Sequence, residues 1–260
     1  MRLPIYQVDA FTDRIFAGNP AAVVPLAEWL SDATLQAIAA ENNLAETAFF
    51  VRRGDAFDLR WFTPVVEVDL CGHATLASAH VIFRFIEPER RRVAFETRQA
   101  GTLVVTRQGD ELAMDFPAWP PEPVESPSSL AVALGRNPSE VLASRDFLAV
   151  YDKTADVAAI KPDFAALRRL DRAVIVTAPG SDEVDFVSRF FAPRAGIDED
   201  PVTGSAHCQL IPYWAKRLGK TRLAARQLSS RGGALSCALE GGRVTIAGQA
   251  RLYLEGTITV

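Results

Sequence analysis

Two short stretches of this chain hold the residue types that proton transfer needs. In Asp200-Pro201-Val202-Thr203-Gly204-Ser205-Ala206-His207 a carboxylate, two hydroxyls and an imidazole gather around one expected helix start. In Cys71-Gly72-His73-Ala74 a thiol and an imidazole gather around another. A helix start leaves backbone N–H groups unpaired and carries partial positive charge, so each stretch can hold an anion. Two such ends aimed at one cleft would bind a small carboxylate without metal or nucleotide, and the side chains beside them could move protons on it. Taken singly, these residues have plainer readings. Thr203 or Ser205 is most simply a cap, Asp200 a carboxylate favoured by the helix dipole, and Cys71 either a thiol activated by the helix end or a small apolar residue packed there. His73, beside positive potential, is expected neutral, with one ring nitrogen donating and the other accepting.

The two stretches are copies of one phrase. Phe62-Thr63-Pro64 leads through Glu67 into Cys71-Gly72-His73-Ala74, and Phe191-Ala192-Pro193 leads through Glu199 into Thr203-Gly204-Ser205-Ala206, with three extra residues in the second copy. Cys71 is thus the counterpart of Thr203, and His73 of Ser205. Strands are expected at Ile5–Phe11, Ala21–Leu26, Thr47–Val51 and Phe57–Phe62, with a helix from Ser31-Asp32 through Glu41. A helix from Gly72 to Phe85 follows, and then strands from Val93 to Phe116 broken at Gly101 and at Gly109-Asp110. In the second half short helices are expected at Leu130–Leu134, Ser139–Ala143 and Phe164–Leu170, and strands at Phe147–Tyr151, Val174–Thr177 and Phe186–Phe191. The second repeated helix runs from Gly204 to Leu218, ahead of a strand-rich tail. Both repeated helices are apolar around most of their circumference, which places each at the centre of its unit. The proline- and glutamate-rich stretch from Pro117 to Ser128 reads as the connection between lobes, 1–117 and 118–260, with the last C-terminal strand a candidate to complete the first.

Composition narrows the partners. The chain has 260 residues, 48% of them hydrophobic, enough to bury a large core. Its formal charge of −4 argues against nucleic acid, which needs a concentrated basic field. The one basic cluster, Arg90-Arg91-Arg92, follows Glu87 and Glu89 and reads as solvated surface. No apolar run is long enough for a membrane span, and the first residues lack a signal-peptide core, so the cytoplasm is the expected location. Cys71, Cys208 and Cys237 show no Cys-x-x-Cys spacing, which fits a reducing compartment and disfavours a structural zinc.

Glu46 sits in Asn42-Asn43-Leu44-Ala45-Glu46-Thr47-Ala48-Phe49, between a helix end and a strand, where local sequence reads it as an exposed loop glutamate or a residue beside an Asn-made turn. Gly18-Asn19-Pro20 reads as a rigid turn. Together with Asp9-Ala10-Phe11-Thr12, Leu70-Cys71-Gly72-His73-Ala74-Thr75, Glu199 through His207 and Arg231-Gly232-Gly233, these strings resemble the PhzF family of phenazine-biosynthesis-like isomerases, nearly end to end. The resemblance implies an α+β, diaminopimelate-epimerase-like fold: two pseudo-symmetric lobes, each a curved, mostly antiparallel sheet around a central helix. It also implies a homodimer, no cofactor and no metal, and an isomerase that shifts a proton on a small anionic substrate. In that scheme Glu46 is the acid/base residue, assisted by His73 and Asp200. Asn19, Cys71, Gly72, Thr203, Gly204 and Ser205 lie around the substrate. Phenazine synthesis itself does not follow from the resemblance.

Within the same fold the rival is a racemase with one thiol on each face of the substrate carbon. Here one helix start offers Cys71, but its counterpart is Thr203, whose hydroxyl is far too weak an acid. Cys208 lies five residues on, about 140° around the helix and more than a turn further in. A protein of this fold that only binds a small acid is the other alternative.

Overall fold

The computed structural model describes residues 1–260. Runs rich in Val, Phe and Leu pair into sheets, and the chain divides into two compact units, Met1–Asp115 with Ala247–Val260, and Phe116–Ile246. The first unit contains β1 (Arg2–Ala10), β2 (Asn19–Leu26), α1 (Asp32–Asn42), β3 (Glu46–Arg53), β4 (Ala56–Phe62), β5 (Glu67–Val68), α2 (Gly72–Val81), β6 (Arg92–Thr97), β7 (Thr102–Gln108) and β8 (Glu111–Pro117). In the second come β9 (Glu122–Pro123), α3 (Ser128–Leu134), β10 (Glu140–Ala143), β11 (Phe147–Val150), α4 (Thr154–Ala159), α5 (Phe164–Leu167), β12 (Val174–Pro179) and β13 (Phe186–Ala192). It continues with β14 (Ile197–Asp200), α6 (Gly204–Leu218), β15 (Arg222–Gln227), β16 (Gly233–Glu240) and β17 (Arg243–Gly248), before β18 (Ala250–Thr259) returns to the first unit.

Strand pairing repeats the sequence phrase at the level of topology. In the first unit β2 runs parallel to β3, β3 antiparallel to β4, β4 parallel to β6, and β6 antiparallel to β7, with β5 hung on β4. In the second, β11 runs parallel to β12, β12 antiparallel to β13, β13 parallel to β15, and β15 antiparallel to β16, with β14 hung on β13. Each unit is therefore an α+β arrangement of a mostly antiparallel sheet and a buried helix. On β1 the chain's own last strand, β18, pairs antiparallel from Arg2 opposite Thr259 to Ala10 opposite Ala250.

The helices owe their places to burial. Of the ten residues of α2, His73 through Ala79 and Val81 are buried, packed by β1, β2, β3 and β18. The α-helix ends at Val81, short of the expected Phe85, and passes into a π-helical turn, Ile82–Ile86. In α6 the buried set includes His207, Cys208, Leu210, Ile211 and Trp214. The second unit's other core gathers Leu130, Leu134, Val157, Leu167, Val176 and Phe191.

One expected helix is a strand. Residues 140–143 pair with β11, Glu140 opposite Val150, and on their other edge with β9, so long-range pairing overrides a local helical reading. A short helix that the sequence did not announce, α4, fills the connection before β12. No helix is long and apolar enough to cross a membrane.

Candidate functional site

Each candidate side chain of the first unit is set by the turn ahead of it. Gly18 has φ +65°, and a Cβ there would meet the Ala10 carbonyl oxygen at 2.2 Å, so only glycine fits where the chain folds back. The residue that follows, Asn19, opens β2. At the end of α1, Asn43 adopts the left-handed conformation (φ 48°) and returns its N–H to Ala39 O, while Asn42 Nδ2 donates to Thr47 Oγ1 at 3.1 Å. Three residues after Asn43 the chain enters β3 at Glu46. Because β2 and β3 are parallel with Ala21 opposite Glu46, both strands begin at the same end, which brings Asn19 and Glu46 together.

The segment leading into α2 is held by a pair that sequence reasoning missed. Arg60 donates through Nε and Nη2 to the two oxygens of Glu67, both at 2.7 Å, and its guanidinium lies 5.0 Å from the Phe62 ring. The second unit repeats the device. Arg189 donates to both oxygens of Glu199, at 2.7 and 3.0 Å, and lies 4.9 Å from the Phe191 ring. The signal was present: an arginine stands two residues before each repeated phenylalanine.

At the start of α2, Glu46, Cys71 and His73 are 8%, 6% and 4% exposed. Glu46 is thus buried, contrary to its local sequence reading, because strand pairing carries it inward. His73 Nε2 lies 3.0 Å from Glu46 Oε2, while that oxygen receives no directed hydrogen bond and keeps a lone pair open. Cys71 Sγ is 3.4 Å from His73 Nδ1 and 3.9 Å from Nε2.

Electrostatics at this cluster oppose the neutral reading of His73 and, of the two readings of Cys71, the activated one. Burial pushes the Cys71 thiol up to about 11, and the Glu46 carboxylate pushes it the same way, so the helix end does not activate it. For His73, burial works against the imidazolium, but Cys71 and Glu46 outweigh it and hold the ring well above its ordinary value. The hold of His73 on its proton is therefore strengthened where the helix dipole alone would weaken it. Asn19 Nδ2 lies 3.1 Å from His73 Nδ1. In that orientation Nδ1 accepts; with the amide turned over, its oxygen takes the Nδ1 proton of the imidazolium, and the pairing with Glu46 favours this second arrangement.

In the second unit Asp200 ends β14, and the Thr203 hydroxyl donates to its Oδ2. Gln227 ties the turn down: its Oε1 accepts from Thr203 N at 2.9 Å, and its Nε2 donates to Asp200 O at 2.8 Å and to Thr203 Oγ1 at 3.1 Å. Neither Thr203 nor Cys71 caps its helix with its side chain, so the simple capping reading of Thr203 fails. The Thr203 carbonyl instead accepts from His207 Nδ1 at 2.8 Å, as the Cys71 carbonyl accepts from Thr75 Oγ1 at 2.6 Å. Gly72, and Gly204 with Ser205, form the first turns of α2 and α6.

Matching registers identify further counterparts. Thr47 stands opposite Phe62 and Val174 opposite Phe191, so Glu46 corresponds to Ala173. Ala22 stands opposite Thr47 and Phe147 opposite Val174, so Asn19 corresponds to Ser144. Within the repeat the first unit alone has a carboxylate at the head of this strand.

A family model described as phenazine biosynthesis-like protein (PhzC-PhzF) matches residues 8–256. The chain is 56% identical over 259 residues to an uncharacterized isomerase of Pseudomonas aeruginosa, covering 99% of each. It matches the crystal structure of a PhzF family protein from Enterococcus faecalis with a TM-score of 0.97 at 48% identity, covering 100% of both chains. A hydroxyproline epimerase from Agrobacterium vitis matches with a TM-score of 0.60 at 12% identity, covering 99% of this chain and 92% of that one, a likeness of fold alone.

Proposed function

The chain belongs to the PhzF family of phenazine biosynthesis-like proteins, and from that premise we propose that it is a cofactor-independent isomerase moving a proton on a small carboxylate-bearing substrate. The family and its isomerase-named relatives support an isomerase or epimerase; the single-carboxylate mechanism is our reading. The observation that carries it is the buried Glu46 oxygen with an open lone pair, 3.0 Å from a histidine whose hold on its proton is raised. Ionised, Glu46 takes a proton from one substrate carbon and returns it to another on the same face. The His73 charge stays in place through the transfer and offsets negative charge developing on the substrate, together with the N–H groups at the start of α2. Asp200, Thr203, Gly204 and Ser205 are assigned to orienting the substrate, and Asn19 to setting the His73 ring.

The two-thiol racemase loses further ground, since Cys71 is held as a thiol and the Thr203 hydroxyl is committed to Asp200. The test is a panel of cyclic and amino-acid carboxylates in D2O followed by NMR. Deuterium incorporation by wild type that is lost in Glu46→Gln supports the mechanism; equal exchange in both removes Glu46 from this role. The reading also carries a homodimer, measured by light scattering on the eluting peak of a sizing column.

A further inference from the structure

We propose that Glu46, Cys71 and His73 form a three-ligand site for a soft divalent cation of the zinc class. The three residues offer a carboxylate oxygen, a thiol sulfur and a ring nitrogen, all within 4.8 Å of one another and all buried. Tetrahedral zinc with its usual bond lengths sets neighbouring ligand atoms about 3.3 Å apart for nitrogen and oxygen and about 3.5 Å for nitrogen and sulfur. The distances from His73 Nε2, 3.0 Å to Glu46 Oε2 and 3.9 Å to Cys71 Sγ, bracket those values, and all three ligand atoms lie within 4.8 Å of one another, so drawing the carboxylate and the thiol together by up to about an ångström closes the site.

Charge and surroundings fit the ion. Cys71 binds as thiolate, its proton passing to solvent, and His73 gives up its Nε2 proton to bind as neutral imidazole. Thiolate and carboxylate together cancel the charge of the dication, which removes the main cost of burying it. With the metal on Nε2, the Nδ1 proton needs an acceptor, and the Asn19 amide, 3.1 Å away, supplies its oxygen when turned over. Three protein ligands leave a fourth position open, unlike the closed sites of structural zinc.

An ion bound here occupies the lone pair that the proposed reaction uses, so it acts as an inhibitor of that reaction. That consequence rests on the proposed function, whereas metal uptake does not. The purified full chain is titrated with Co2+, without substrate, and followed by absorption spectroscopy. We expect one equivalent to give the intense visible bands of four-coordinate cobalt and a near-ultraviolet thiolate-to-metal band, both discharged by one equivalent of Zn2+. Cys71→Ser abolishes the thiolate band, and His73→Asn, tested separately, weakens binding at least roughly 10-fold. Cys208→Ser keeps the full spectrum, and circular dichroism checks each fold. No thiolate band in wild type, or a band that survives Cys71→Ser, overturns the proposal. Either result leaves the deuterium experiment to judge the isomerase reading alone.

Discussion

The starts of α2 and α6 share a frame and differ in the groups that could react. In both, an extended residue precedes the helix, a bidentate arginine–glutamate pair fixes the approach, and the side chain four residues on donates to the carbonyl that precedes the helix. Upon that frame the first unit sets Asn19, Glu46, Cys71 and His73, where the second has Ser144, Ala173, Thr203 and Ser205. Backbone geometry tolerates duplication because it needs only the helix and its clamp. Reactive side chains are under no such constraint, and the carboxylate at the strand head occurs in one copy.

The comparison is broken most directly at its largest expected effect. Glu46→Gln should lower deuterium exchange by roughly 10²–10⁴-fold, while Ala173→Ser leaves it unchanged; an equal loss at both would end the idea of one reactive copy. Next come the histidines, which should respond to pH in opposite senses. Burial pushes His207 down to about 4, so it stays neutral in the folded chain while the unfolded ring takes a proton below its ordinary value of 6.5. Its contribution is present above pH 6.5 and lost as pH falls toward 4, by roughly 3 kcal/mol in full. His73 is raised instead, so its contribution is complete below pH 6.5 and fades as pH rises through its folded value. Urea unfolding of wild type, His207→Gln and His73→Asn across pH 4.5 to 9 reads both trends, and parallel curves would contradict them.

A smaller effect tests the shared frame. Arg60→Met and Arg189→Met should each cost about 2 kcal/mol, below the value for a fully buried pair because Glu67 and Glu199 are partly exposed. Chemical denaturation showing a cost at only one would mean that the clamps are not equivalent. Smallest, Thr203→Val removes one donor to Asp200 and one acceptor from Gln227, for about 1 kcal/mol in a thermal melt.

What sequence could reveal follows from the range of the interactions involved. The repeated phrase and both central helices were legible, because apolar circumference and helix-start residues are local. Glu46 was not legible as buried: its place depends on β2 lying beside β3, and nothing in Asn42 through Phe49 encodes that neighbour. Residues 140–143 were misread as helix for the same reason, their strand state coming from β9 and β11. The upward shift of His73 draws on Cys71 and on a carboxylate 27 positions away in sequence, whereas local reasoning could see only the helix dipole. Arg60 and Arg189 were legible in principle, since the repeat extends two residues further toward the N-terminus than the phrase that announced it.

The pairing of β18 with β1 also fixes an order of events during synthesis. A ribosome delivers the chain from its N-terminus, so residues 116–246 are complete while the first unit still lacks 247–260. Until those residues emerge, β1 has β2 on one side and an open edge on the other. The unit that holds Glu46 and His73 is thus begun before the second unit and completed after it. A chain truncated after residue 246 should protect its second unit from protease and leave the first open to cleavage, and the acid–base pair should reach its final form only once residues 247–260 are in place.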